Sequence, residues 1–279
     1  MVELGKYNRL RIVKEVSFGF YLDGGTEYGE VLLPKQYIPE GKQPGDDIDI
    51  FLYRDSEDRP VACTLNPFAI VGDFAVLKVI SVSMQGAFLD WGLPKDLLVP
   101  YREQKRPLQA GENCFVYIYQ DQTSGRIVAS TKIDKFINNT KPDYEDGESV
   151  DLQVYEKTSL GYNCIINSEH KGLLFYSEIG TDIPLGHKLK GFIREFRPDG
   201  KIDLSLQKKG FEKSTDIKEQ LLTILEDTKG FLPLTDKSSS ELIFKTTGMS
   251  KRNFKMAVGM LYKSQLIKIT PEGITLIGD

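Results

Sequence analysis

The sequence has little of what enzymes and secreted proteins usually depend on. Its 279 residues include three cysteines, two histidines and one tryptophan. Cys63, Cys114 and Cys164 are scattered through apolar stretches. An odd, dispersed set argues against a disulfide framework, and two histidines are too few for a thiolate–imidazole metal motif. No apolar run reaches the roughly 18 residues of a membrane helix, and no apolar core follows the N-terminus, so neither a membrane span nor a secretory leader is expected. A cytoplasmic chain is the plain reading.

Catalytic signatures are equally sparse. There is no GxxxxGK(S/T) phosphate loop and no HExxH or Cys/His spacing. His170 lies in the turn-like Ser168-Glu169-His170-Lys171, and His187 opens a strand without a partner pattern. The run Asp46-Asp47-Ile48-Asp49 reads as a solubilising strand edge rather than a magnesium site. The expectation is a non-enzyme that needs no metal or other cofactor.

What is present is repetition. One succession occurs three times: a long apolar strand, a glycine opening a second strand, a third strand, a glycine-led fourth and a short fifth. The second strands begin at Gly19, Gly86 and Gly161, which are 67 and 75 residues apart. That period is too long for a solenoid and suits tandem five-stranded barrels of roughly 60–70 residues. Glycine-rich turns and bent strands are what a tightly curled barrel requires. The predicted fold is mainly β, with antiparallel barrels over residues 1–68, 69–144 and 145–212.

The pattern changes near Phe211. Ile217, Leu221, Leu222, Ile224 and Leu225 recur at helical spacing, and residues 238–246 hold a second short helix. Ser250 caps a third, with Phe254, Val258 and Leu261 on one face and Lys251, Arg252 and Lys255 off it. A hairpin through Pro271-Glu272-Gly273 follows. Residues 213–279 are thus expected to form a winged helix, an α/β module that docks either nucleic acid or protein.

The net charge of −4 conceals an uneven distribution. Residues 1–68 carry −4, 69–144 +1, 145–212 −3 and 213–279 +2. Within the third copy, residues 186–211 hold seven basic side chains against three acidic ones. Lys188, Lys190, Arg194, Lys208 and Lys209 belong to this run, and the winged-helix Lys251, Arg252 and Lys255 extend it. Such a patch is a candidate contact for a phosphate backbone, with an ordinary solvated rim as the bland alternative. Rings offer stacking surfaces for unpaired bases: Phe18 and Tyr21 around Gly19, Phe88 after Gly86, and Tyr162 and Phe175 in the third copy.

The pieces Phe18-Gly19-Phe20-Tyr21-Leu22, Gly86-Ala87-Phe88-Leu89-Asp90 and Gly172-Leu173-Leu174-Phe175-Tyr176-Ser177-Glu178-Ile179 resemble the S1 RNA-binding domain, an OB-fold barrel. Three in tandem before a winged helix is similar to the bacterial conserved virulence factor B family, the YitL-like S1 proteins. The resemblance implies RNA binding and a role in post-transcriptional control, without catalysis. It places an RNA-facing ring just before the second-strand glycine and another two residues after it. Phe18 and Tyr21 match both places, Phe88 matches the second, and the third copy has Leu160 and Asn163. The pattern's third-strand histidine corresponds to Leu32, Leu98 and Phe175.

The sequence therefore predicts a single-stranded RNA-binding protein. Tyr162, Phe175, Lys188, Lys190, Arg194, Lys208 and Lys209 are its main contacts. Phe18, Tyr21 and Phe88 are weaker ones, and Lys251, Arg252 and Lys255 contribute from the winged helix. The alternative is a scaffold that holds a protein partner through the winged helix or the acidic N-terminal barrel.

Overall fold

The computed structural model describes residues 1–138, 140, 142–176, 179, 182–197, 199–206, 212–235 and 237–277, with the side chains of 212–216 left aside. Three closed five-stranded barrels precede a helical region with a small sheet. The first barrel comprises β1 (Tyr7–Val16), β2 (Gly19–Asp23), β3 (Glu30–Pro34), β4 (Asp47–Arg54) and β5 (Pro60–Cys63), with the short helix α1 (Gly25–Tyr28) between β2 and β3. The second comprises β6 (Phe74–Ser83), β7 (Gly86–Leu89), β8 (Leu97–Pro100), β9 (Asn113–Gln120) and β10 (Ile127–Ser130). The third comprises β11 (Ser149–Lys157), β12 (Gly161–Ile166), β13 (His170–Phe175), β14 (Lys188–Phe196) and β15 (Ile202–Ser205).

Closure explains why the first strand of each barrel is long. The first half of β1 pairs with β4 and its second half with β2, and β6 divides its pairing between β9 and β7 in the same way. The register slips between Ile12 and Lys14, between Val79 and Ser81, and between Val154 and Glu156. A bulge thus falls at Val13, Ile80 and Tyr155, where the strand turns from one neighbour toward the other. The antiparallel expectation needs one correction. Leu32 pairs in parallel with Val61, and Leu98 in parallel with Val128, so the barrels are mixed. A five-stranded barrel that returns its last strand beside its third closes with one parallel seam.

The chain divides into two compact units. The first contains Met1–Pro142, Asp151–Tyr176 and Gly180–Leu189. Strand alternation sorts its side chains. Phe20, Leu22, Leu33, Ile50 and Leu52 fill the first barrel. The opposite face of its β4 and β5, with Phe51, Tyr53, Val61 and Cys63, joins Leu77, Leu89, Trp91 and Val116 in one cluster with the second barrel. Phe51 meets Trp91 edge-on at 5.6 Å, and the indole N–H donates to the Ala69 carbonyl at 2.6 Å. The two barrels therefore share a core instead of hanging on a linker. Phe74 and Phe115 on the outside of β6 and β9 pack against Tyr155 and Ile165 of β11 and β12.

The second unit contains Asp143–Val150, Ser177–Ile179 and Lys190–Asp279. Its C-terminal part is a winged helix: α2 (Glu212–Asp227), β16 (Phe231–Leu232), α3 (Ser240–Thr247), α4 (Lys251–Lys263), β17 (Ile267–Thr270) and β18 (Gly273–Leu276). Leu221, Leu225, Ile243, Phe254, Ala257 and Leu261 form its core. Ser239 and Ser250 cap α3 and α4, each hydroxyl accepting a backbone N–H from three residues on. Gly248 ends α3 in the left-handed conformation, its N–H returning to the Phe244 carbonyl. The wing sheet has a third strand, β16, beside the expected hairpin.

Candidate nucleic-acid interface

The cross-strand register aligns the three barrels residue by residue. Tyr21 pairs with Lys14 on one side and Leu32 on the other. The same positions hold Ser81, Phe88 and Leu98 in the second barrel, and Glu156, Asn163 and Leu173 in the third. These residues lie on the outer sheet face, where a base would find a platform.

The first barrel has the fullest version of this face. Phe18 is 55% exposed and meets Tyr21 edge-on at 6.3 Å. The Lys14 ammonium sits 4.9 Å from the Tyr21 ring centre and 2.6 Å from the Glu30 carboxylate. The ring pair is thus accessible, but an acid already answers its cation. In the second barrel Phe88 is half-buried and lines a cavity of about 420 Å³. In the third, the ring position is Asn163, whose amide donates to Glu156 at 2.8 Å.

Two sequence assignments require correction. Tyr162 is 1% exposed and occupies the inward position of Phe20 and Ala87, so it has no face to offer a base. Its hydroxyl donates to Asp182. Phe175 pairs with Gly161, as Pro34 pairs with Gly19 and Pro100 with Gly86, so the third-barrel counterpart of Leu32 and Leu98 is Leu173. Phe175 is half-buried two residues beyond. Tyr176, part of the third copy's S1-like piece but not among its expected contacts, is 38% exposed and donates its hydroxyl to the Thr158 carbonyl at 2.7 Å. Tyr101 makes the equivalent bond to Ser83, also at 2.7 Å. The shared tyrosine directly after the third strand was the available signal.

Among the cations, Lys188, Lys190 and Arg194 are exposed on β14. The register slips between Ile193 and Glu195, so Arg194 sits on a bulge, where the alternation that puts Lys188 and Lys190 on one face is interrupted. Lys208 and Lys209 lie outside the described residues. In the winged helix, Lys251 is partly buried and donates to the Ser238 carbonyl at 2.7 Å, holding the loop before α3. Arg252 and Lys255 are exposed on α4. The three basic residues expected to act alike therefore divide into one structural and two surface side chains.

The chemistry of the remaining groups is quiet. Burial pushes the thiols of Cys114 and Cys164 up to about 12, far from a reactive thiolate. Among the described residues no group of three or more His, Cys, Asp or Glu is placed to hold a metal ion. No described helix is long and apolar enough to cross a membrane.

Comparison with known proteins agrees with this architecture. The family model of the S1 domain matches residues 4–65 and 71–132, and that of the CvfB-like winged helix domain matches residues 219–276. Conserved virulence factor B of Staphylococcus epidermidis is 27% identical over 239 residues, covering 83% of this chain and 80% of the relative. Its Staphylococcus aureus counterpart is 26% identical over the same coverage. Among solved structures, a multidomain protein with nucleic acid binding domains from Streptococcus pneumoniae is 26% identical with a TM-score of 0.42, covering 98% of each chain. S1 barrels joined to this particular winged helix place the chain in the conserved virulence factor B family.

Proposed function

We propose that the protein is a non-catalytic, cytoplasmic binder of single-stranded RNA that acts in post-transcriptional control. The observation that carries this reading is the exposed Phe18–Tyr21 pair beneath the Lys14 ammonium, on an S1-barrel face whose counterpart in the second barrel carries Phe88. Rings of this kind stack on any base face and are worth roughly 1–3 kcal/mol per base. A duplex hides those faces, so it cannot use them. The exposed cations of β14 and α4 supply the phosphate-tracking component, while the structure-holding Lys251 and the buried Tyr162 fall out of the contact set.

The test is a titration of the full chain with a labelled RNA, single-stranded and annealed to its complement, with and without chelator. The single strand should bind at least about tenfold tighter, since each stacked base lost is worth roughly 1–3 kcal/mol, and chelator should change nothing. Equal or tighter binding of the duplex, or loss of binding with chelator, contradicts the reading. If no RNA of either form binds while a protein partner does, the scaffold alternative replaces it.

A further inference from the structure

The cavity at Phe88 is walled by the neighbouring barrel. It is lined by Phe88, Leu98 and Val128 on the second barrel's outer face, by the cations Lys95, Arg126 and Arg54, and by the Asp96 carboxylate. Facing them is the turn between β4 and β5 of the first barrel. Asp58 at its tip accepts a hydrogen bond from Arg126 and lies 3.5 Å from the Lys95 ammonium. Lys95 also donates to the Asp55 carbonyl at 2.6 Å.

The turn is built to hold that carboxylate in place. The Asp55 side chain accepts the N–H groups of Glu57 and Arg59 at 2.9 and 3.0 Å, and Arg54 donates to the Asp58 carbonyl at 2.6 Å. Asp58 itself adopts φ +62°, in the left-handed region that only Gly, Asn and Asp visit readily. Burial at the rim works against its charge, but Arg126 and then Lys95 outweigh that and keep the carboxyl below its ordinary range. The result is the Asp58 carboxylate between two converging cations, in the cavity that Phe88 lines. A cavity of about 420 Å³ lies within the size range of small-ligand pockets, which starts near 300 Å³.

We propose that this cavity is a nucleotide site for single-stranded RNA gated by Asp58, whose carboxylate stands at Lys95 and Arg126 where the phosphate of a nucleotide stacked on Phe88 would stand. The gate rests on the RNA-binding reading above and adds to it a site that the protein itself keeps closed. An entering strand must displace the Asp58 carboxylate from both cations, so the second barrel joins the complex only when the first gives way.

The experiment uses the full chain with a labelled oligouridylate single strand over a salt series. Asparagine tolerates φ +62° and keeps the size of the side chain, so Asp58→Asn removes the charge with little backbone cost. With two cations released to phosphate, Asp58→Asn should raise affinity about three- to tenfold and steepen the salt slope by roughly 1.4, at about 0.7 per contact. Adding Phe88→Ala or Arg126→Ala should remove that gain. Asp58→Gly, which also suits φ +62° and removes the carboxylate, should give the same gain and decides the matter if Asp58→Asn does not fold. Wild-type affinity in a folded Asp58→Asn or Asp58→Gly overturns the gate while leaving RNA binding intact. If neither wild type nor variant binds single-stranded RNA, the functional reading falls and the gate with it.

Discussion

Gly86→Ala will unfold the second barrel under conditions where the wild type is folded. A Cβ at this position would lie 2.2 Å from the Val99 carbonyl oxygen on the paired strand. The same contact is 2.2 Å for Gly19 against Leu33 and 2.1 Å for Gly161 against Leu174. The clashing atom is backbone in the adjacent strand, so no rotamer relieves it. Relief requires β7 and β8 to separate, which opens the barrel on the side of the shared core. The expected loss is above about 4 kcal/mol, the range in which single substitutions become exceptional. Gly111→Ala is the control, because its Cβ would meet no atom within 4 Å although φ is +90°. That change should cost about 1–2 kcal/mol, for backbone strain alone. Trp91, the one tryptophan, is buried in the cluster that the first two barrels share and reports the transition by fluorescence in urea. A loss below about 2 kcal/mol for Gly86→Ala would show that the strands yield and that the repeated glycine is not a steric requirement.

The second large effect concerns affinity. Replacing Lys188, Lys190 and Arg194 together by alanine should weaken single-stranded RNA binding by about tenfold or more and flatten the salt slope by roughly 2, if each contacts one phosphate. These side chains are exposed on β14. The first barrel has the better rings but a poorer field. Glu30 answers Lys14 at 2.6 Å, and Asp55 and Glu57 answer Arg59 at 2.8 and 2.9 Å. A polyanion must be drawn in before any base can stack, so Lys6→Ala, Arg9→Ala and Lys14→Ala combined should cost much less. Phe18→Ala with Tyr21→Ala should fall between the two and leave the salt slope unchanged, since rings release no counterions. Binding isotherms at four salt concentrations separate these cases. If the first-barrel variants lose more affinity than the β14 variant while all remain folded, the ring pair is the principal site.

The sequence was most informative where one residue type meets a local steric demand. Gly19, Gly86 and Gly161 mark the same close approach of two strands, and their spacing revealed the three barrels. Alternation along the second strand likewise sets Phe20 and Tyr162 inside, where both are buried. Properties that depend on pairing between distant strands left weaker traces. The bulges at Val13, Ile80 and Tyr155 fall on three different side-chain types, because a bulge is set by backbone closure and not by the residue that occupies it. Counting three residues on from a glycine pairs Phe175, after Gly172, with Leu32, after Gly29. Gly29 precedes its strand and Gly172 lies inside one, so the count was two residues out. The Asp58–Arg126 contact joins residues 68 positions apart in different barrels and has no sequence signature. Lys251 looked like a surface cation because helical spacing shows where a side chain starts and not that its ammonium reaches the Ser238 carbonyl.

The most direct test of an RNA-binding surface built from tandem barrels is photocrosslinking. The full chain is bound to a single-stranded RNA carrying photoreactive uridine, and the modified residues are identified by mass spectrometry. The account predicts adducts on the outer β2 face at Phe18 and Tyr21, along β14 near Lys188 and Lys190, and on α4 near Arg252 and Lys255, with none at the buried Tyr162. Adducts confined to other surfaces, or no adducts at saturating RNA, would contradict it.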